Sequence, residues 1–289
     1  MLLVTGASGL NGSAIIREFV RHGAAVRAMV RNREKGAQFS GAMVDVVAGD
    51  MSRLETLGRA LEGVHRVLMI SSASPDMVEV QCRFIDACKA AGIGHIIKFS
   101  GAESNIGYDP NRFRFARMHL DIERYLETSG PSWTHLRPSQ FMQVYLRDAP
   151  AIVTQRVLRL PMAEVAMSPI DVDDIAKIAF AIMCSEGHEG KAYAMTGPES
   201  LTMHEIAEHI ANATGKPLRY VAISPEERRQ NLMASGMPRY LADALVEQAV
   251  ERLRTPGSGV YLRTHQTFAI EPTSFLEFAR RNAAAFGGT

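Results

Sequence analysis

The sequence predicts an α/β protein with a doubly wound parallel sheet and a smaller, mostly helical C-terminal lobe. Two observations carry this prediction. Short apolar runs alternate with longer helical patterns through the first half of the chain, and a glycine-rich loop directly follows the first apolar run. With 289 residues, of which 46% are hydrophobic, the chain is long enough for a large buried core and too apolar for disorder.

The elements of the first half follow one another regularly. Strand-like runs occupy residues 1–5, 25–30, 44–48, 66–70, 95–99 and 133–136. Helical patterns lie between them, over residues 11–22, 53–62, 76–91 and 112–129. Such alternation is typical of parallel strands joined by right-handed crossovers, with helices on both faces of the sheet.

The second half is less regular. Residues 171–184 have a helical pattern and 191–195 a strand pattern, whereas Thr202 and Ser224 each open a helix with capping spacing. Further helices are expected to end near residue 254 and to cover residues 274–286. We therefore expect a Rossmann domain over residues 1–150 and a substrate lobe over 151–289, with 165–197 returning to the Rossmann core.

Charge and cysteine content limit the partners. Lys and Arg number 32 against 31 for Asp and Glu, a balance that disfavours nucleic acid as a partner. No apolar run approaches the ~18–20 residues that cross a bilayer. Cys82, Cys88 and Cys184 have neither CxxC spacing nor an even count, so we expect reduced thiols. The first strand begins at Met1, which leaves no room for a signal peptide. We expect a cytoplasmic monomer or homodimer that binds a small molecule and no membrane.

The glycine loop is the strongest functional signal. Gly6, Gly9 and Gly12 stand between the first strand and the first helix in GxxGxxG spacing. This context suits a dinucleotide, because the turn brings the backbone close to a pyrophosphate that the helix N-terminus attracts. Ser8, Leu10 and Asn11 complete the predicted loop. The alternative is a packing turn that binds no nucleotide.

The residues after the second strand favour NADP(H) over NAD(H). An acid at this place would bind a ribose 2′-hydroxyl, but the sequence has Arg31, with Lys35 nearby. A guanidinium can bind a 2′-phosphate through two charge-assisted hydrogen bonds. The alternative is that these cations belong to a solvated loop and bind no phosphate.

Two more loops follow strands. Asp50 and Met51 follow the third strand, where Asp50 would accept a hydrogen bond from the adenine amino group. Ser71 and Ser72 follow the fourth, where they would line the ribose and pyrophosphate. Each loop can equally be a helix cap or a turn.

Several motifs in order resemble the NmrA-like atypical short-chain dehydrogenase/reductases. They are TGASGLNG, VRAMVRN, KFSGAES, HLDIERYLETSG, WTHLRPSQFMQ and SPIDVDDIA. The resemblance implies an NAD(P)-binding Rossmann domain with a substrate lobe. It leaves the reaction open, because the group includes reductases of quinones, dyes and enones as well as redox-sensing regulators.

The sequence lacks the YxxxK dyad of ordinary short-chain dehydrogenases. Alignment on the helix that carries this dyad puts Phe115 at the tyrosine position and His119 at the lysine position. His119 would bind the nicotinamide ribose or supply a proton near neutral pH, unless it is only structural. Tyr108 is a second candidate donor.

The remaining candidates follow the fifth and sixth strands. Ser100 and Pro138 are expected beside the nicotinamide. A hydrophobic substrate pocket is expected from Gln140, Phe141, Met142 and Tyr145. No metal site is expected, since His204 and His209 are five residues apart and point to different sides of a helix.

These features together predict an NADP(H)-dependent oxidoreductase. It would transfer hydride to a small hydrophobic carbonyl, quinone or activated alkene without a YxxxK dyad. One alternative is a non-catalytic NADP(H)-sensing regulatory protein, and another is a nucleotide-sugar epimerase-like enzyme.

Overall fold

The computed structural model describes residues 1–39, 43–101, 108–254 and 258–288. These residues form two compact units. The first comprises residues 1–101, 118–137 and 175–193, and the second the described parts of 102–117, 138–174 and 194–289. The predicted domain boundary after residue 150 concerns which parts of the chain fold independently, and it stays a prediction.

The strands form a doubly wound sheet and a separate pair. In chain order they are β1 (Leu2–Val4), β2 (Val26–Val30), β3 (Val44–Ala48), β4 (Arg66–Met69), β5 (His95–Phe99), β6 (Ser132–Pro138), β7 (Val157–Leu160), β8 (Lys191–Met195) and β9 (Arg219–Ala222). The large sheet has the order β3-β2-β1-β4-β5-β6-β8, and β7 pairs with β9. The pairs from β3 through β6 are parallel, which confirms the predicted fold class.

The helices fill the connections. They are α1 (Leu10–Arg21), α2 (Gly58–Leu61), α3 (Met77–Ala90), α4 (Arg114–Thr128), α5 (Ala149–Gln155), α6 (Val172–Cys184), α7 (Met203–Thr214), α8 (Pro225–Ala234), α9 (Arg239–Arg254), α10 (Arg263–Phe268) and α11 (Phe275–Arg281). Short 3₁₀ turns cover Arg33–Phe39, Leu54–Thr56 and Met142–Asp148. The predicted capping box at Thr202 is confirmed, since its side chain and that of Glu205 bond reciprocally to the backbone.

Two predicted helices are wrong in extent. The last helix ends at Arg281 rather than at residue 286, because the Asn282 side chain donates to the Phe278 carbonyl and the chain continues in turns. The helix expected over 53–62 is a 3₁₀ turn followed by the short α2. Thr56 breaks this stretch, because its hydroxyl accepts from the Asp50 amide and donates to the Arg53 carbonyl.

Apolar strands build the core of the first unit. Val67 and Leu68 on β4 and Ile96 and Ile97 on β5 have no exposed surface, as expected for central strands covered on both faces. Lys98 on β5 breaks this rule, since it is a charged residue with 0% exposure. A buried lysine requires polar partners, which the next subsection describes.

The second unit has a core of its own. Helix α7 packs against α11 and against the β7–β9 pair. The sequence did not indicate this two-stranded sheet. Large buried side chains of this core include Tyr145, Met142, Met203, Ile206, Phe275, Phe278 and Phe286.

Two arginines tie elements of the first unit together. Arg66 on β4 donates to the carbonyls of Ile182, Met183 and Ser185 at the end of α6. Arg137 on β6 forms a bidentate pair with Glu123 on α4, with Nε–Oε1 at 3.0 Å and Nη2–Oε2 at 2.6 Å. Because Glu123 is only 1% exposed, this pair is a buried one.

Membrane segments and disulfides can be assessed on the same described ranges. Within them, no helix is both long enough and apolar enough to cross a bilayer. Cys82, Cys88 and Cys184 are free thiols.

Glu123→Gln should lower the free energy of unfolding by about 3 kcal/mol, because it leaves a partly buried guanidinium without its carboxylate. Although burial acts to raise the pKa of Glu123, the hydrogen bond from Arg137 and the charge of His135 hold it below its usual value. The lowered pKa stabilises the fold above the pKa of the unfolded chain, and the contribution is lost as pH falls through the folded value.

Urea unfolding at neutral and acidic pH measures both effects. The difference between wild type and Glu123→Gln should shrink as the pH falls. Glu55→Gln is the control, since Glu55 pairs with Arg53 on the open surface, and it should leave the midpoint unchanged. Equal midpoints for wild type and Glu123→Gln would contradict the prediction.

Candidate functional site

A cavity of about 590 Å³ opens at the carboxyl ends of β1 to β4. The strand order turns outward in opposite directions from β1 and β4, and ligands of doubly wound sheets bind at this crevice. Most of the predicted cofactor residues line it together: Gly6, Ser8, Gly9, Leu10, Asn11, Gly12, Arg31, Lys35, Asp50, Met51, Ser71 and Ser72. Ser100, His119 and Pro138 are not among its lining residues.

The glycine loop is closely packed at two points. Gly6 has a φ of +57°, and a Cβ there would lie 2.9 Å from the Ile70 carbonyl oxygen. A Cβ on Gly12 would collide with the Gly6 carbonyl oxygen and lie 2.8 Å from Ala7 Cα. Glycine is therefore required sterically at both positions, whether or not a ligand is present.

The N-terminus of α1 faces this cavity without a side-chain cap. Gly9 is the N-cap residue and supplies no capping oxygen for the first-turn amides. Asn11 also lines the cavity, and its buried Oδ1 has no hydrogen-bond partner among the described residues. Uncapped amides and an unpaired amide oxygen are features that a bound polar group would satisfy.

Arg31 and Lys35 make one end of the cavity positive. Both side chains are exposed, and neither forms an ion pair with a carboxylate in the described part of the chain. Asp50 lies nearby, and its Oδ1 accepts from the Ser52 amide and hydroxyl. The Ser52 hydrogen bond, with a smaller contribution from the Arg31 charge, lowers the pKa of Asp50 against the effect of burial. Asp50 thus stabilises a turn through these hydrogen bonds and also lines the cavity.

A row of polar groups, buried at Gln81 and Lys98 and half-buried at its two ends, leads from Ser71 to His119. The Ser71 hydroxyl accepts from Gln81 Nε2 at 2.7 Å, and Gln81 Oε1 accepts from Lys98 Nζ at 3.1 Å. Lys98 Nζ also lies 3.4 Å from the Phe99 carbonyl oxygen and 3.1 Å from His119 Nδ1. Helix α3 supplies Gln81, β5 supplies Lys98 and α4 supplies His119.

Lys98 and Gln81 were missed by sequence reasoning. The signal was the position of a lysine between Ile97 and Phe99 in the strand His95–Phe99, where a charge is unfavourable without partners. Burial is the main cause that lowers the pKa of Lys98, to about 7, against the opposing charge of Glu123. The ammonium therefore titrates near neutral pH.

His119 lies against the end of β5. Gly101 makes room for the ring, since a Cβ there would lie 2.6 Å from His119 Cδ2 and 2.8 Å from Nε2. Burial, followed by the charge of Lys98, lowers the pKa of His119 well below its usual value. The imidazole is therefore neutral at neutral pH, and its catalytic role stays a prediction.

The other residues predicted to lie beside the nicotinamide or to donate a proton are not part of this row. Ser100 is fully buried after β5, and its amide donates to the Leu136 carbonyl. Pro138 is the buried last residue of β6. Tyr108 is buried against Phe113, and its hydroxyl accepts from Arg252 Nε at 2.5 Å. This packing gives no support to Tyr108 as a proton donor, which stays a prediction.

The predicted substrate residues belong to the second unit. Met142 and Tyr145 are buried in its core, where Tyr145 packs edge-on against Phe275. Phe141 and Gln140 are half-buried and pair with Ile170 through the backbone. A substrate role for these four residues stays a prediction, and Met142 and Tyr145 would need to become accessible to fill it.

A family model decides the evolutionary relationship. The NmrA-like family matches residues 1–264. The chain belongs to the NmrA-like family.

Named relatives extend over nearly the whole NmrA-like chain. An NAD(P)H azoreductase of Xenophilus azovorans is 34% identical, with 99% of each chain covered. A (4-alkanoyl-5-oxo-2,5-dihydrofuran-3-yl)methyl phosphate reductase of Streptomyces griseus is 32% identical, again with 99% of each covered. The crystal structure of an NADPH-dependent quinone oxidoreductase of Escherichia coli, complexed with NADPH, has a TM-score of 0.86 and 26% identity, and the match covers 97% of this chain and 99% of that one.

Gly12→Ala should destabilise this NmrA-like protein by about 1–3 kcal/mol, because the added methyl meets backbone atoms that cannot move aside without shifting the loop. Urea unfolding measures the loss. Gly58→Ala is the matched control, since a Cβ at Gly58 meets nothing within 4 Å. Equal stability of Gly12→Ala and wild type would show that the loop packs less closely than described.

Proposed function

We propose that this protein is an NADP(H)-dependent reductase that transfers hydride to a small hydrophobic carbonyl, quinone or activated alkene. The cavity at β1 to β4 carries the proposal. It joins an uncapped glycine loop to Arg31 and Lys35, and Arg31 stands where NAD(H) enzymes place an acid.

The residues of the cavity fit NADP(H). The first-turn amides of α1 are hydrogen-bond donors for the pyrophosphate. The buried Asn11 Oδ1 is an acceptor, so it suits a hydroxyl hydrogen of the cofactor rather than a phosphate oxygen. Arg31 and Lys35 suit the 2′-phosphate, since neither forms an ion pair with a carboxylate of the described residues. When bound, NADPH supplies a hydride to the acceptor.

The relatives support the class of acceptor. Two are named as reductases of an azo compound and of an unsaturated lactone phosphate, and the third as a quinone oxidoreductase. Azo groups, enones and quinones are conjugated acceptors, and each needs one proton after it has received a hydride.

The proton source differs from that of a YxxxK enzyme. Phe115 on α4 has no acidic hydrogen, and its ring packs against Phe113 and Tyr240. His119 is a donor candidate at the carboxyl end of β5, where its ring lies against the backbone of Gly101.

The purified protein should consume NADPH steadily with some member of a panel of quinones, enones and azo dyes. Loss of NADPH absorbance measures turnover, and protein-free samples correct for direct reduction by the cofactor. NADPH binding without turnover across the panel would refute the reductase and favour the NADP(H)-sensing regulator. Conversion of a nucleotide sugar without net NADPH consumption would instead identify an epimerase.

Arg31→Glu should weaken NADPH binding by about 10–100-fold and leave NADH binding unchanged or improved, because a carboxylate repels the 2′-phosphate that the guanidinium attracts. Titration calorimetry with both cofactors measures the ratio of affinities. Arg33→Glu makes the same charge change two residues away, outside the residues that line the cavity, and should alter the ratio little. An unchanged ratio in Arg31→Glu would refute the assignment of this residue.

A further inference from the structure

The polar row Ser71–Gln81–Lys98–His119 has a defined hydrogen-bond direction. An ammonium has three hydrogens and no acceptor, and Lys98 Nζ faces three acceptors: Gln81 Oε1, the Phe99 carbonyl and His119 Nδ1. Protonated Lys98 therefore leaves Nδ1 as an acceptor and puts the single imidazole proton on Nε2. The same ammonium orients the Gln81 amide, whose Nε2 then donates to Ser71 on the cavity wall.

Neutral Lys98 reverses one of these bonds. An amine has two hydrogens for the two carbonyl-type acceptors and one lone pair, which Nδ1–H of His119 then occupies. The imidazole proton would in that case lie on Nδ1, and Nε2 would carry no hydrogen. The charge of Lys98 thus sets the tautomer of His119.

We propose that Lys98 is a positioning residue for the reduction: it keeps the proton of His119 on Nε2 and replaces it through Nδ1 when Nε2 donates to the reduced substrate. This inference rests on the proposed function. The hydrogen bond between Lys98 Nζ and His119 Nδ1 carries it, together with the close packing of the His119 ring on Gly101, which holds Nε2 at the carboxyl end of β5.

The proton count balances. The acceptor takes a hydride from NADPH and becomes an anion, which removes the hydrogen from His119 Nε2. Nδ1 takes one hydrogen from the Lys98 ammonium, so the pair ends as a neutral imidazole and a neutral amine. Water then returns one proton to the pair. His119 never becomes an imidazolate, which would be needed if a lone neutral imidazole were the acid.

The surroundings of Lys98 suit a group that releases a proton near neutral pH. On α4 it faces His119 and Glu123, the latter bound by Arg137 of β6. On α3 it faces Cys82, whose own pKa is raised by burial, and on β6 it stands beside His135. Burial outweighs the Glu123 charge and brings the pKa of Lys98 to about 7.

Imidazole nitrogen NMR of the full chain, with isotope-labelled histidine, tests the tautomer without any substrate. A His119→Gln sample identifies the signals. In wild type, His119 should carry its proton on Nε2 below pH ~7 and on Nδ1 above it, without becoming doubly protonated. Lys98→Met keeps the length of the side chain and removes its hydrogens, so this switch should disappear.

Lys89→Met is the matched control. Lys89 is an exposed lysine of α3, and its loss should leave the switch unchanged. A tautomer that is independent of pH in wild type, or a switch that persists in Lys98→Met, would overturn the inference. If Lys98→Met does not fold, the wild-type titration alone decides.

Kinetics with the best acceptor of the panel separate this inference from the proposed function. In wild type, kcat should fall as pH rises through about 7, the pKa of Lys98. In Lys98→Met, kcat should be lower by about a hundredfold and lose this pH dependence, with KM and NADPH affinity nearly unchanged. Turnover with the wild-type profile in Lys98→Met would refute the role of Lys98 alone, whereas absence of turnover in wild type would refute the reduction.

Discussion

The contact between Gly12 and the backbone of Gly6 is the constraint on which the candidate site depends. Because no side chain separates them, the first turn of α1 rests directly on the loop that leaves β1. The positive φ of Gly6 turns the chain beneath the end of β4 at Ile70. One wall of the cavity is therefore backbone, whose shape is fixed by the packing of α1 and two strands. Recognition by such a wall depends on amides and leaves selectivity to the few side chains at its rim.

The parts of the structure that could be predicted are those written in local patterns. Alternating apolar runs indicated the sheet, and the capping spacing at Thr202 located the start of α7 within a residue. Arg31 follows β2 directly, so its place at the carboxyl edge follows from the fold class alone. The α11 boundary failed because Asn282 ends that helix through a side-chain bond, a choice that periodicity does not record.

Contacts between segments far apart in the chain could not be predicted from the sequence. The pairing of β7 with β9 joins short segments about sixty residues apart, and neither has a strong strand pattern by itself. The burial of Met142 and Tyr145 depends on α7 and α11, so a hydrophobic substrate wall and a core have the same composition. A lysine is unexpected in the central strand β5. Its role becomes clear only from the structure, in which α3 and α4 supply the hydrogen-bond partners of Lys98.

The bonds from Arg66 to the end of α6 have a consequence for the order in which the chain folds. The strands β1 to β6 follow one another along the chain. Helix α6 and strand β8 join the same unit only after residues 138–174, which belong to the other unit. Arg66 thus cannot form these hydrogen bonds until residues more than a hundred positions later in the chain have been synthesised. During synthesis the first unit is incomplete until residue 193 has left the ribosome, and its edge strand β6 stays exposed to wrong pairing for that time.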